Sequence, residues 1–133
     1  MKVGIVGYGY WGPNLVRNFF EFDKTTVEMV SDLDEERLSK CNKRYPNVKT
    51  TTDSSEIFDS AVIDAVAVAT PVSTHFDLVE QAIENDKHVL VEKPLAETTE
   101  QCRDLIQLSK AQDTVLMVDH TFIYTGAVEE IKR

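Results

Sequence analysis

Apolar residues along this chain fall into short runs, separated by longer stretches in which they recur every three or four positions. Val3–Val6, Val27–Val30, Ile63–Val68, His88–Val91 and Val115–Val118 have strand length and are rich in β-branched residues, the pattern of buried strands. Val48–Thr52, rich in threonine, reads as a weaker sixth. The stretches between them carry the helical period. Pro13–Phe20 predicts a first helix, with Pro13 near its opening turn, where a missing N–H is harmless. Asp34–Tyr45 predicts a second, opened by Asp34, Glu35 and Glu36 and stopped before Pro46. Asp53 or Ser54 caps a short helix through Phe58. Ser73–Asn85 places Phe76, Val79, Ala82 and Ile83 on one face, and Thr98–Gln112 opens on Thr98 or Thr99 as its cap. Gly126–Arg133 is again helical in pattern.

Strands alternating with helices imply parallel pairing through right-handed crossovers. Six strands in 133 residues predict one α/β domain, a doubly wound parallel sheet of the Rossmann dinucleotide-binding type. No linker, internal repeat or low-complexity tract interrupts it.

The turn after the first strand carries the clearest chemistry. Gly7-Tyr8-Gly9-Tyr10-Trp11-Gly12 follows Val6 directly, and Asp32 stands twenty residues beyond Gly12 at the end of the second strand. This is a G-x-G-x-x-G loop with strand, helix and acid in the places a dinucleotide site needs them. Gly7 lets the chain turn sharply, Gly9 lets the backbone approach a pyrophosphate, and Gly12 lets the helix sit close to the strand. The helix start offers free N–H groups to a diphosphate. A carboxylate at Asp32 accepts hydrogen bonds from the adenosine ribose and repels a 2′-phosphate, favouring NAD over NADP; alternatively Asp32 is a turn residue or helix cap. Arg37 either reaches a 2′-phosphate or lies on a solvated helix face. Tyr8, Tyr10 and Trp11 make the loop aromatic, their rings sheltering the pyrophosphate or packing on the sheet edge.

Two other strand ends face the same crevice, where ligands of open parallel sheets bind. Thr70 and Pro71 border it, with His75 in the next helical turn as either a cofactor contact or a polar surface residue. Glu92-Lys93-Pro94 follows a buried strand. Lys93 is then either a proton-exchanging group beside a nicotinamide, its ammonium acidified by the ring's positive charge, or one half of a salt bridge with Glu92.

Composition narrows the partners. A formal net charge of −9 with no basic stripe argues against nucleic acid. Cys41 and Cys102 have no metal-like spacing, so no metal site and reduced thiols are expected. No apolar run has the length of an export signal or a membrane span, which predicts a cytoplasmic protein with no membrane partner.

The loop Gly7–Gly12, Ala69-Thr70-Pro71 with His75, and above all His88-Val89-Leu90-Val91-Glu92-Lys93-Pro94-Leu95-Ala96 resemble the glucose–fructose oxidoreductase/inositol dehydrogenase family, over nearly the whole chain. Gly12–Asn18 and His120-Thr121-Phe122-Ile123-Tyr124 are most similar to its sugar-nucleotide branch. The resemblance implies that Gly7, Gly9 and Gly12 cradle the pyrophosphate of NAD, that Asp32 holds the ribose, and that Thr70, Pro71 and His75 lie along the cofactor. It places Glu92 near the nicotinamide ribose, Lys93 on the hydroxyl of a sugar, sugar-nucleotide or cyclitol substrate, and His120 near that substrate. It also suggests a cis Lys93–Pro94 bond. Asp119 departs from the family pattern, since many relatives carry a small residue there, usually glycine. Family members are longer, with an antiparallel substrate domain. The resemblance therefore implies a dinucleotide domain over residues 1–120, a connection beginning at 121–133, a second substrate domain absent from this chain, and no turnover by this chain alone. Apolar surface left on the last strand predicts a homo-oligomer.

Two functional classes follow. One is the cofactor domain of an NAD-dependent dehydrogenase; the other is a free-standing NAD(H)-sensing module, which has no need of Glu92-Lys93-Pro94. A methyltransferase is disfavoured, because no acidic residue precedes the glycine loop in the first strand.

Overall fold

Six parallel strands form the centre of a computed structural model that describes residues 1–132. They are β1 (Lys2–Val6), β2 (Thr26–Ser31), β3 (Lys49–Thr51), β4 (Ala65–Val68), β5 (His88–Glu92) and β6 (Leu116–Asp119), in the order β3-β2-β1-β4-β5-β6. The order reverses direction at β1, between β2 and β4, and that switch opens a crevice beyond the strand ends. Val3 pairs with Val27 of β2 on one side and with Ala65 of β4 on the other.

Side chains alternate across the sheet, as strand geometry requires. Val3 and Ile5 of β1 and Ala67 of β4 enter a core closed by Leu15 and Val16 of α1 (Gly12–Glu21) and Leu38 and Cys41 of α2 (Glu35–Arg44). Val6, Val66 and Val68 enter the opposite core. There they meet Ile57 and Phe58 of α3 (Ser55–Phe58), Val79 and Ile83 of α4 (His75–Glu84), and Leu105 of α5 (Thr99–Ala111). Both faces are covered, which is why the central strands read as continuous apolar runs. Each fully buried Val or Ile contributes roughly 1.5–3 kcal/mol.

Local sequence sets the ends. Asp34 caps α2, its side chain accepting from the Glu36 and Arg37 N–H groups. Thr98 and Gln101 form a reciprocal capping box at α5. The first helix takes Pro13 in its first turn, as expected. Two boundaries move inward. β4 begins at Ala65 rather than Ile63, because Ser60–Asp64 turns and Ile63 packs under Gly4. α4 begins at His75 rather than Ser73, because Val72–Thr74 makes a 3-10 turn after Pro71. A further 3-10 turn at Thr121–Tyr124, which the pattern did not predict, precedes α6 (Gly126–Ile131). The expected helical reach to Arg133 lies outside the described residues. No helix among the described residues is long and apolar enough to cross a membrane.

Candidate functional site

The glycine loop is fixed by the protein at two of its three glycines. Gly7 has φ +99°, its N–H donates to the Ser31 carbonyl at 2.7 Å, and a Cβ there would stand 2.6 Å from the Ala69 carbonyl oxygen. A Cβ on Gly12 would drive into the Gly7 carbonyl. Gly9 differs. Its φ is not positive, and the nearest atom to a Cβ would be the mobile tip of Arg37 at 3.4 Å. Nothing in the fold itself demands a glycine at 9.

Asp32 is the buried brace of this loop. Its Oδ2 accepts the Tyr8 N–H at 2.6 Å and its Oδ1 accepts the Asp34 N–H at 2.9 Å. The carboxylate thus serves the backbone while also lining the crevice. Arg37 lies beside it, with Nη1 3.5 Å from Asp32 Oδ2 and Nε 3.3 Å from Asp34 Oδ2. Arg37 is exposed, as the solvated-face reading has it, and it also lines the cleft beside Asp32. The Asp34 cap fixes the first turn of α2, and that turn directs Arg37 back over the loop.

A cleft of about 850 Å³ runs along these strand ends. Gly7, Gly9, Tyr10, Trp11, Asp32 and Arg37 line one end, and Thr70, Pro71, Glu92 and Lys93 the other. Tyr10 is almost wholly exposed and stacks on Trp11, ring centroids 6.4 Å apart. Trp11 also leans on the core beneath, so its ring packs and borders the cleft at once.

Four expected site residues do not line it. The Tyr8 side chain is buried against Cys41 and Tyr45, where desolvation first, then these neighbours, push its phenol up to about 12. Only the Tyr8 backbone serves the loop. Gly12 stands beneath the loop as a spacing residue. His75 is 1 % exposed, its ring nitrogens 2.8 Å from the Pro94 carbonyl and 2.9 Å from the Thr70 carbonyl. It is an internal tie between two lining loops, neither a cofactor contact nor a surface residue. His120 is exposed just past β6 and does not reach the cleft. A neighbouring hydroxyl pair supports Thr70, which accepts from the Thr74 hydroxyl at 2.8 Å.

Lys93 is exposed in the cleft, and its bond to Pro94 is cis. Among the described residues Lys93 and Glu92 form no ion pair, so the salt-bridge alternative does not hold. Glu92 instead lies against Asp119, its register partner on β6. Burial, and then Asp119, push the Glu92 carboxyl up from its ordinary range, while the Lys93 N–H and charge pull it down. Among the described residues no cluster of His, Cys, Asp or Glu is arranged to hold a metal.

Residues 1–120 match a family model described as an oxidoreductase family with an NAD-binding Rossmann fold. A myo-inositol 2-dehydrogenase from Thermotoga maritima is 29 % identical over 116 residues, covering 87 % of this chain and 35 % of that protein. Among solved structures, GenD2 from gentamicin A biosynthesis, in complex with NAD, superposes with TM-score 0.92 at 28 % identity over 98 % of this chain and 37 % of that one. A biliverdin reductase from Synechocystis, bound to biliverdin and NADP+, superposes with TM-score 0.93 at 27 % identity, covering 98 % and 41 %. The chain spans about a third of the length of the relatives it matches.

Proposed function

Because the chain belongs to the GFO/IDH/MocA oxidoreductase family, that of glucose–fructose oxidoreductase and inositol dehydrogenase, we propose that its NAD-binding domain serves a dehydrogenase acting on a sugar, sugar-nucleotide or cyclitol hydroxyl. The observation that carries the reading is Gly9, a glycine that the fold leaves free and that borders the cleft between Asp32 and Lys93. The residues present fit a dinucleotide. The Gly7–Gly12 loop and the start of α1 receive the pyrophosphate. Asp32, already oriented by two backbone N–H groups, accepts from the adenosine ribose. Thr70 and Pro71 border the nicotinamide half. Bound NAD supplies the hydride acceptor, and this chain supplies position and proton handling. Lys93 reaches the substrate side of the cleft and takes the hydroxyl proton.

Asp32 disfavours a 2′-phosphate, so NAD is the preferred cofactor, and Arg37 softens that preference by partly neutralising Asp32. Calorimetric titration with NAD and NADP tests the cofactor assignment; equal or tighter NADP binding overturns it. Reduction of NAD by the intact protein with a panel of UDP-sugars and inositols, lost in Lys93→Ala, tests the substrate class. Tight NAD binding with no reduction by any of them favours the sensing module.

A further inference from the structure

The carboxyl ends of β5 and β6 bring two acids together. Glu92 and Asp119 are register partners on adjacent parallel strands, so their side chains leave the same face of the sheet. Asp119 is close enough to help push the Glu92 carboxyl up from its ordinary range, after burial. Two ionised carboxylates offer each other only acceptors, so a hydrogen bond across this register pair needs a shared proton. Glu92 Oε1 is also buried with no hydrogen-bond partner, which costs far less for a neutral carboxyl than for a carboxylate. Other groups around Glu92 do not supply a donor to that oxygen. On its own strand the charged neighbour is Lys93, whose N–H and ammonium favour the ionised form. From β4 the neighbour of β5 at this end is Val68, paired with Val91. From α4 it is His75, whose nitrogens face the Pro94 and Thr70 carbonyls. The position matters as much as the contact. Asp32, just past β2, and Glu92, at the end of β5, lie on opposite sides of β1 and line the same cleft. A dinucleotide with its adenosine ribose at Asp32 and its pyrophosphate on the glycine loop extends its nicotinamide half toward β4 and β5.

Resting on the dinucleotide reading above, we propose that Glu92 and Asp119 share one proton, which they release to solvent when oxidised cofactor binds and keep when reduced cofactor binds. The oxidised ring carries a positive charge that the reduced ring lacks, and a positive charge beside a carboxyl favours its ionised form. In the release step one carboxyl O–H bond breaks and the proton passes to water. No electrons are transferred, and the pair goes from one negative charge to two. Affinity for the oxidised form then rises about tenfold per pH unit wherever the unliganded pair is protonated. Affinity for the reduced form stays flat over the same range. Acid thus selects the reduced cofactor.

Calorimetry with NAD+ and NADH, from about pH 5 to 8 in buffers of different ionisation enthalpy, counts the protons. The expected result is release of up to one proton per NAD+ at the acid end and none with NADH. Asp119→Asn, which sets an amide donor against Glu92, is expected to abolish the release and flatten the NAD+ profile. A readout without cofactor is the carbon-13 NMR titration of the Glu92 carboxyl, expected above ordinary glutamate in the unliganded protein and lowered in Asp119→Asn. Equal proton release with both cofactors, release unchanged by Asp119→Asn, or an ordinary glutamate titration overturns the proposal while leaving the cofactor site standing. Failure of both cofactors to bind overturns the dinucleotide reading, and the coupling with it.

Discussion

The interior strands β1 and β2 and the edge strand β6 differ in how far they are buried. At β1 and β2, Val3, Ile5 and Val30 are sealed between helices, and the loop above them is pinned by Gly7, Gly12 and the two hydrogen bonds of Asp32. At β6 no residue is fully buried, Met117 is 46 % exposed, and Phe122 and Tyr124 beyond it are 72 % and 66 % exposed. The region proposed to take the adenosine and pyrophosphate is held in place by the domain's own backbone contacts. The region that carries Glu92, Lys93 and Asp119 lies next to an open edge strand. Binding geometry is therefore concentrated in one region, and the proposed proton chemistry in the other.

The sharpest way to break this comparison is to make one change in both regions. Gly12→Ala puts a methyl into the Gly7 carbonyl and is expected to cost about 3 kcal/mol. Gly126→Ala, with nothing within 4 Å, is expected to stay within about 0.5 kcal/mol. Urea melts of both variants check it, and similar losses at the two sites would contradict the contrast. The two histidines give a second pair. His75→Ala removes the ring N–H that donates to the Thr70 or Pro94 carbonyl, leaving that acceptor unpaired in a closed site, and is expected to cost about 2 kcal/mol, whereas exposed His120→Ala should fall within about 0.5 kcal/mol. Equal melting temperatures for the two variants would remove His75 as a tie.

In the first region, Asp32→Ala is expected to weaken NAD binding roughly tenfold, about the worth of one charge-assisted hydrogen bond, and to narrow the gap between NAD and NADP. Calorimetry compares it with Arg37→Ala, which should widen that gap. In the second region, the effect is smaller and depends on pH. The Glu92 carboxyl is raised on folding, so its contribution to stability is present below the unfolded glutamate range and is lost as pH rises through the folded value. Wild type minus Asp119→Asn in unfolding free energy is expected to shrink across that rise. A difference independent of pH would mean the pair shares no proton.

Much of the first region was legible in the sequence, and less of the second. Gly7, Gly9, Gly12 and Asp32 act through backbone geometry at fixed spacings, and spacing is what a sequence displays. The six strands and their parallel pairing follow from apolar runs and the rule for parallel crossovers. Lys93 and Thr70 line the cleft because strand ends face it. The misassigned side chains depended on direction rather than position. Tyr8 and His75 sit where a lining residue could sit, yet each turns inward to a partner distant in sequence, Cys41 for one and Pro94 for the other. Arg37 carried a usable signal, three residues after the Asp34 cap, in the turn that the cap orients. The Glu92–Asp119 contact carried none, because it needs the β5–β6 register, which no local pattern specifies. Asp119 stood out only as a departure from the family pattern.

The central claim is that the cleft over the glycine loop holds a dinucleotide, and Gly9 tests it most directly. Its backbone accepts a side chain and no neighbour of the fold blocks one, so Gly9→Ala should melt like the wild type. The same methyl would stand where a pyrophosphate must approach. Calorimetric titration with NAD is expected to show binding by the wild type and at least tenfold weaker binding by Gly9→Ala, with the melting temperature of the unliganded protein unchanged. Undiminished NAD binding by a normally folded Gly9→Ala protein would contradict the claim.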